Sequence, residues 1–196
     1  MIAVIDYKAG NLTSVMKALH AISADALVTA DPEVVRRADK VVLPGVGHFA
    51  ATRLLSATGL TDAVRETIAR GAPFLGICVG LQWLFEGSTE APGVAGMGHF
   101  EGSCDRFQTT EKVPHVGWNS LSIRPQSRLM DGVPEGSFVY YTHSYKAPVN
   151  HATVAVTDYG ESFTGAIERD NVMGVQFHPE KSAAAGLRVL SNFVRL

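Results

Sequence analysis

The segment Gly76-Ile77-Cys78-Val79-Gly80 stands between an apolar run, Pro73-Phe74-Leu75, and a helix-like run, Leu81-Gln82-Trp83-Leu84-Phe85. A strand that turns sharply into a helix at a glycine-flanked residue has the form of a nucleophile elbow, here with Cys in place of Ser. The glycines matter because a reactive side chain held on so tight a turn leaves no room for neighbouring Cβ atoms. A lone Cys in an apolar stretch is most often a small core residue, and Cys104 keeps that reading. The strand-to-helix placement sets Cys78 apart.

The chain around the elbow reads as alternating strands and helices. Ile2–Tyr7 is a short apolar strand ended by polar residues and Gly, and residues 12–24 carry Leu12, Val15, Met16, Leu19 and Ile22 on one helical stripe. Ala26–Thr29 predicts a second strand. Asp31-Pro32-Glu33 offers a helix start with Asp as N-cap and Pro at the first helical position. Val41-Val42-Leu43 predicts a third strand, broken by Pro44-Gly45, and Thr61–Ala69 a helix stopped by Gly71. Such alternation implies right-handed βαβ units and a parallel sheet, whose ligands gather at the carboxyl ends of strands. Both Pro44-Gly45-Val46-Gly47 and Cys78 fall at such ends.

The second half changes character. Val139–Tyr141, Thr153–Thr157 and Gly165–Glu168 suggest shorter strands, and Arg169-Asp170-Asn171 a hairpin turn before Val172–Phe177. A helix over Ser182–Val194 closes the chain. The expected fold is α/β: a mostly parallel central sheet with helices on both faces, plus a mixed or antiparallel part in the second half. No repeat or linker divides residues 1–196, so one domain is expected.

Composition limits the function. With 46% hydrophobic residues the chain can bury a full core. Its net charge is −2 and no stripe of Lys or Arg forms, which argues against nucleic acid as a partner, since phosphate neutralisation needs concentrated positive charge. No apolar run approaches the roughly 20 residues of a membrane span, and the start Met1–Asp6 lacks a signal peptide's basic region. Two cysteines make no disulfide framework, and a reducing cytoplasm fits them. Of the seven His residues none falls in a His-Glu-x-x-His pattern, so no metal is expected. Gly93–Gly98 matches neither a dinucleotide fingerprint nor a P-loop, and no cofactor is expected.

One hundred residues beyond Cys78 the chain reads His178-Pro179-Glu180. On its own this tripeptide is a turn. In a chain with an elbow, it supplies a base and an acid. A free thiol with a pKa of about 8.5 is mostly protonated at neutral pH. A nearby imidazole takes its proton, and a carboxylate on the other ring nitrogen fixes the tautomer and stabilises the cation. In extended chain, residues two apart emerge on one face, which would put His178 and Glu180 together. The backbone N–H of Val79 is one natural oxyanion donor, and the Pro44–Gly47 segment, otherwise a structural turn, offers a second at Val46 or Gly47. The aromatic run Phe138, Tyr140, Tyr141 and Tyr145 reads as core. His115–Asn119 carries no intrinsic chemical meaning, although an exposed Trp118 would favour an interface.

These residues together resemble the triad, or class I, glutamine amidotransferases, through Gly76–Gln82 and His178-Pro179-Glu180. Asp6–Leu12, Pro44–Phe49, Pro114–Asn119 and His178–Ser182 narrow the resemblance to the glutaminase subunits of imidazole glycerol phosphate synthase. It runs from the first strand to the last helix. Val79 and Leu81 depart from the family's commonest wording, which has Leu and Met there.

The resemblance implies a flavodoxin-like sheet and a division of labour. Cys78 attacks the side-chain amide of L-glutamine, His178 moves the protons and Glu180 orients it. Gln82, His143, Ser144 and Tyr145 hold the glutamine. Asn11, Trp118 and Lys181 lie near the interface with a (β/α)8-barrel cyclase subunit, which would receive the ammonia in a heterodimer serving histidine biosynthesis. Another amidotransferase of the same class, or a catalytically silent regulatory subunit, are the alternatives.

Overall fold

A computed structural model describes all 196 residues. Strand β1 (Ile2–Ile5) is followed by α1 (Leu12–Ala21), β2 (Ala26–Thr29), α2 (Pro32–Arg37) and β3 (Lys40–Gly45). After a 3₁₀ turn at Phe49–Thr52 come α3 (Arg53–Ala57), α4 (Leu60–Ala69), β4 (Phe74–Cys78) and α5 (Val79–Trp83). The next strands are β5 (Gly87–Ser88), β6 (Ser103–Arg106), β7 (His115–Ser120), β8 (Ser122–Ile123), β9 (Phe138–His143) and β10 (Tyr145–Lys146). Then follow β11 (Thr153–Asp158), β12 (Ser162–Arg169) and β13 (Val172–Val175), a second 3₁₀ turn at Pro179–Lys181, and α6 (Ala183–Arg195).

The central sheet has the order β2-β1-β3-β4-β13-β12-β11-β8. Its first five strands run parallel, and β12, β11 and β8 add an antiparallel flank. The mixed character expected of the second half is this flank. From β1 the chain steps outward to β2 and then returns past β1 to β3, so right-handed crossovers put α1 and α2 on opposite faces. One layer pairs α1 with α6 and the other α2 with α4. Covered on both sides, β1 and β4 are buried at every residue, which is why they read as unbroken apolar runs.

Local signals place several boundaries. The Asp31 carboxylate accepts from the Glu33 N–H at 2.9 Å, with Pro32 in the first turn of α2. Gly71, at φ 91°, ends α4. The β12–β13 hairpin closes on Asp170-Asn171 with Asp170 at φ 54°. Other expectations shift. β1 stops at Ile5 and α1 at Ala21, two to three residues early, where Lys8 and Ser23 take positive φ and break the repeat. β3 is not broken by Pro44-Gly45 but runs through them. Its pairing with β1 ends at Val42 while its pairing with β4 continues to Gly45, so Pro44 sits where one side of the strand has no partner to miss its N–H. In the β7–β9 ribbon, β9 extends the strand expected at Val139–Tyr141, whereas β7 and the pairing are new. No helix is long and apolar enough to cross a membrane.

Parallel pairing closes the gap between the two chemical motifs. Gly45 pairs with Cys78, and Val175 with Ile77 on the opposite side of β4. Residues that follow β3, β4 and β13 therefore converge at one end of the sheet, beside the point where the strand order reverses.

Candidate active site

Cys78 ends β4 and caps α5 with φ 56° and ψ −107°. A non-glycine residue in such a conformation costs about 1–3 kcal/mol and persists only where its surroundings over-determine it. Here two close backbone approaches do so. A Cβ on Gly76 would fall on the Gly80 carbonyl, and a Cβ on Gly80 would fall on the Leu43 carbonyl. The two flanking glycines thus let the elbow seat against β3. α5 spans only five residues, so it offers Cys78 the free N–H groups of a first turn and not the summed dipole of a long helix.

His178 and Glu180 meet, but not on an extended strand. β13 ends at Val175, His178 caps the 3₁₀ turn at Pro179–Lys181, and Pro179 begins that turn, where a missing N–H and a fixed φ cost nothing. The turn brings Glu180 Oε1 to 2.9 Å from His178 Nδ1, with both side chains 1% exposed. His178 Nε2 and Glu180 Oε2 have no hydrogen-bond partner within the chain. Burial works against a charged imidazole, yet the Cys78 sulfur and the Glu180 carboxylate outweigh it and hold the His178 pKa at about 10. The imidazolium is therefore stabilised by two groups on either side, while Nε2 stays free of any aligned hydrogen bond.

A cavity of about 600 Å³ opens over Cys78. Val46, Gly47 and Val79 line it together with Gln82, His143, Ser144 and Tyr145, so every residue expected in the oxyanion and glutamine-binding sets reaches it. Asn11 and Lys181 lie on its wall as well; Trp118, His178 and Glu180 do not. Glu90, absent from the sequence reading, is the only carboxylate on the wall, and its Oε2 accepts from the Phe49 N–H at 2.7 Å. Nothing local in the sequence marks Glu90, because the loop that carries it is placed by tertiary contacts.

Two further features escaped the sequence reading. Gln176, wholly buried, donates its amide Nε2–H to Cys78 Sγ at 3.6 Å. A polar amide at the end of an otherwise apolar strand was the available signal. The second is a histidine pair. His143 Nδ1 lies 2.8 Å from the Tyr145 carbonyl, which only accepts, so Nδ1 carries the proton. His143 Nε2 must then accept from His115 Nδ1 at 3.1 Å. His115, in a segment (His115–Asn119) with no intrinsic chemical meaning, is thus a buried, neutral donor to the cavity wall, stacked on Tyr141 and Tyr159.

Burial lowers the pKa of His143 to about 3 and that of His115 to about 4. Both stay neutral in the folded chain when the unfolded chain, with His near 6.5, has begun to bind protons. Stability conferred by neutral histidines is full above pH 6.5 and falls as pH drops toward 4. The expected loss over that window is on the order of 3 kcal/mol for each ring. His178, raised instead, contributes stability that is full below pH 6.5 and is lost as pH rises toward 10. Urea midpoints measured from pH 4 to 7 check the acid limb: His143→Gln with His115→Gln is expected to flatten it, and an unchanged slope would remove the pair as its source.

The aromatic run splits by strand alternation and is not uniformly core. Tyr141 is wholly buried, while Phe138 is 60% exposed on the opposite face of β9. Trp118 pairs with Tyr140 across the ribbon and is itself 52% exposed, and Lys181 Nζ sits 5.7 Å from the Tyr140 ring. Val116, Trp118 and Phe138 are exposed on one face of the ribbon, and Thr142, which pairs with Val116, lines the cavity. Cys104 is wholly buried, as its core reading expects.

The model of the family described as "Glutamine amidotransferase class-I" matches residues 3–196. The chain belongs to this family. Two similar amidotransferase relatives carry the name "Imidazole glycerol phosphate synthase subunit HisH". One, from Methanothermobacter thermautotrophicus, is 50% identical across 100% of this chain and 98% of that protein. The other, from Thermococcus kodakarensis, is 48% identical across the full length of both. Among solved structures, one described as a crystal structure of glutamine amidotransferase superposes with a TM-score of 0.78 at 17% identity, over 100% of this chain and 98% of that one. PurLQS from Thermotoga maritima gives 0.74 at 16%, over 99% and 97%. At such identities these structures bear out the class I amidotransferase fold alone.

Proposed function

We propose that this amidotransferase is the glutaminase subunit of an imidazole glycerol phosphate synthase, taking ammonia from L-glutamine through Cys78, His178 and Glu180. The observation that carries the mechanism is the arrangement of a strained cysteine, a buried His–Glu pair and an open cavity on one end of the sheet. The full-length likeness to HisH relatives supports the pathway.

In this reading the Cys78 thiolate attacks the side-chain carbonyl carbon of glutamine. The tetrahedral oxyanion is received by the Val79 N–H and by an amide at Val46 or Gly47. The imidazolium of His178 gives its proton to the departing nitrogen, so ammonia leaves and a γ-glutamyl thioester remains. Water, deprotonated by the now neutral His178, cleaves the thioester to glutamate and restores the thiolate. Glu180 holds His178 in the tautomer both steps need. A wall carrying one carboxylate, Glu90, and one ammonium, Lys181, suits a zwitterionic amino acid. His143, Ser144 and Tyr145 complete that wall. Gln82 acts mainly as a brace, since its Nε2 already donates to Tyr145 O and to Gln176 Oε1.

The partner in this proposal is a (β/α)8-barrel cyclase subunit, docked over the cavity mouth on the face of Val116, Trp118 and Phe138, with Asn11 and Lys181 at the rim. The test is glutamine hydrolysis measured with and without such a cyclase carrying its nucleotide ligand. Binding and stimulation are expected; failure of every barrel cyclase to bind would sink the assignment. Trp118→Ala is expected to weaken the complex by about 2 kcal/mol, near the usual size of an interface hot spot, with the fold intact because the ring is half exposed. Unfolding of that variant would make Trp118 a core residue instead.

A further inference from the structure

The structure assigns a fourth side chain to the Cys78 nucleophile: Gln176, as the uncharged donor that holds the sulfur in its anionic form. The assignment rests on the reading of Cys78 as the nucleophile and adds what that reading lacks. A buried thiolate whose one ionic partner is His178 gains from a second donor that carries no charge.

The direction of the Gln176 amide follows from a chain of bonds anchored on a group that cannot be reversed. The Tyr145 carbonyl only accepts, so the Gln82 atom 2.8 Å from it is the Nε2 donor. The same Nε2 lies 3.2 Å from Gln176 and gives it a second hydrogen, which requires the carbonyl oxygen of Gln176 to face Gln82. The Gln176 Nε2–H group is left pointing at Cys78 Sγ, 3.6 Å away. Turning Gln176 over would set two N–H groups against each other and leave the sulfur facing an oxygen. Gln82 and Gln176 are 2% and 0% exposed, so no water competes for these bonds.

A donor to an anion is worth about twice a donor to a neutral acceptor, so the amide favours thiolate over thiol. It does so without a charge of its own and without a proton to lose. The other titratable groups beside the sulfur differ in this. His178 is charged, and the Tyr7 phenol, pushed up by burial and then by Cys78, stays protonated and unpartnered. Because the chain of bonds ends on Tyr145 in the cavity wall, the wall that would hold glutamine also fixes the donor to the sulfur.

The test is the rate of alkylation of Cys78 by iodoacetamide from pH 5 to 10, read peptide by peptide in the intact chain. Gln176→Leu and the unbranched Gln176→Met are both expected to slow alkylation at pH 7 about tenfold and to move the midpoint upward by about one pH unit, with an unchanged plateau at high pH. An unchanged plateau shows that access to the sulfur is the same. A purely structural role would lower the unfolding midpoint and leave the alkylation profile as it was. Wild-type profiles in the folded variants overturn the assignment; if Gln176→Leu does not fold, Gln176→Met reads the same quantity. The profile requires no glutamine turnover, so absent glutaminase activity in the unsubstituted protein bears on the proposed function alone.

Discussion

Cys78→Ala is expected to lower glutamine hydrolysis by roughly 10⁴–10⁶-fold, the range seen when a covalent nucleophile is removed, while leaving the fold and the complex with a cyclase in place. The side chain is small and buried, so its loss opens little space. A companion variant separates chemistry from strain. Cys78 sits at φ 56° and ψ −107°, where Ala is strained as Cys is and Gly is not. Cys78→Gly is therefore expected to be as inactive as Cys78→Ala yet about 1 kcal/mol more stable to urea, after the added entropy of a glycine in the unfolded chain is set against the relieved strain. Equal stability of the two variants would mean that the turn carries no strain. Residual hydrolysis within tenfold of wild type would remove Cys78 as nucleophile.

The largest effect on folding is expected at Gly80. Its would-be Cβ falls on the Leu43 carbonyl, backbone against backbone, with β3 and β4 held in register on one side and α5 on the other. Neither element has a side chain that could yield. Gly80→Ala should cost on the order of 4 kcal/mol, at the upper end for overpacking, and lower Tm by about 10 °C in a chain of this size. Gly93→Ala is the control: nothing lies within 4 Å of its Cβ position, and the change should be worth about 0.5 kcal/mol or less. Near-equal melting of the two variants would contradict the close approach of the elbow to β3.

Much of this architecture is legible in residue order. The βαβ half declares itself because its strands are covered on both faces and its helices on one, which prints unbroken apolar runs and stripes. The elbow is legible for a related reason: Gly76 and Gly80 mark where the backbone of one element touches that of another. His178 and Glu180 can be named from the tripeptide, and the turn that Pro179 favours, more than an extended strand, is what brings their side chains together. What stays hidden depends on pairings with no local cost. Gln176 faces Cys78 only because β13 inserts beside β4 in one register. His115 meets His143 only because β7 and β9 form a ribbon. Glu90 reaches the cavity through a loop whose residues carry no periodic signal.

The central claim is that Cys78 forms a γ-glutamyl thioester. It is tested most directly by acid-quenched mass spectrometry during glutamine turnover with the cyclase present. One γ-glutamyl group is expected on the peptide carrying Cys78 and none on Cys104, with release of γ-glutamyl hydroxamate when hydroxylamine is added. Sustained ammonia production with Cys78 unmodified and no hydroxamate formed would contradict it.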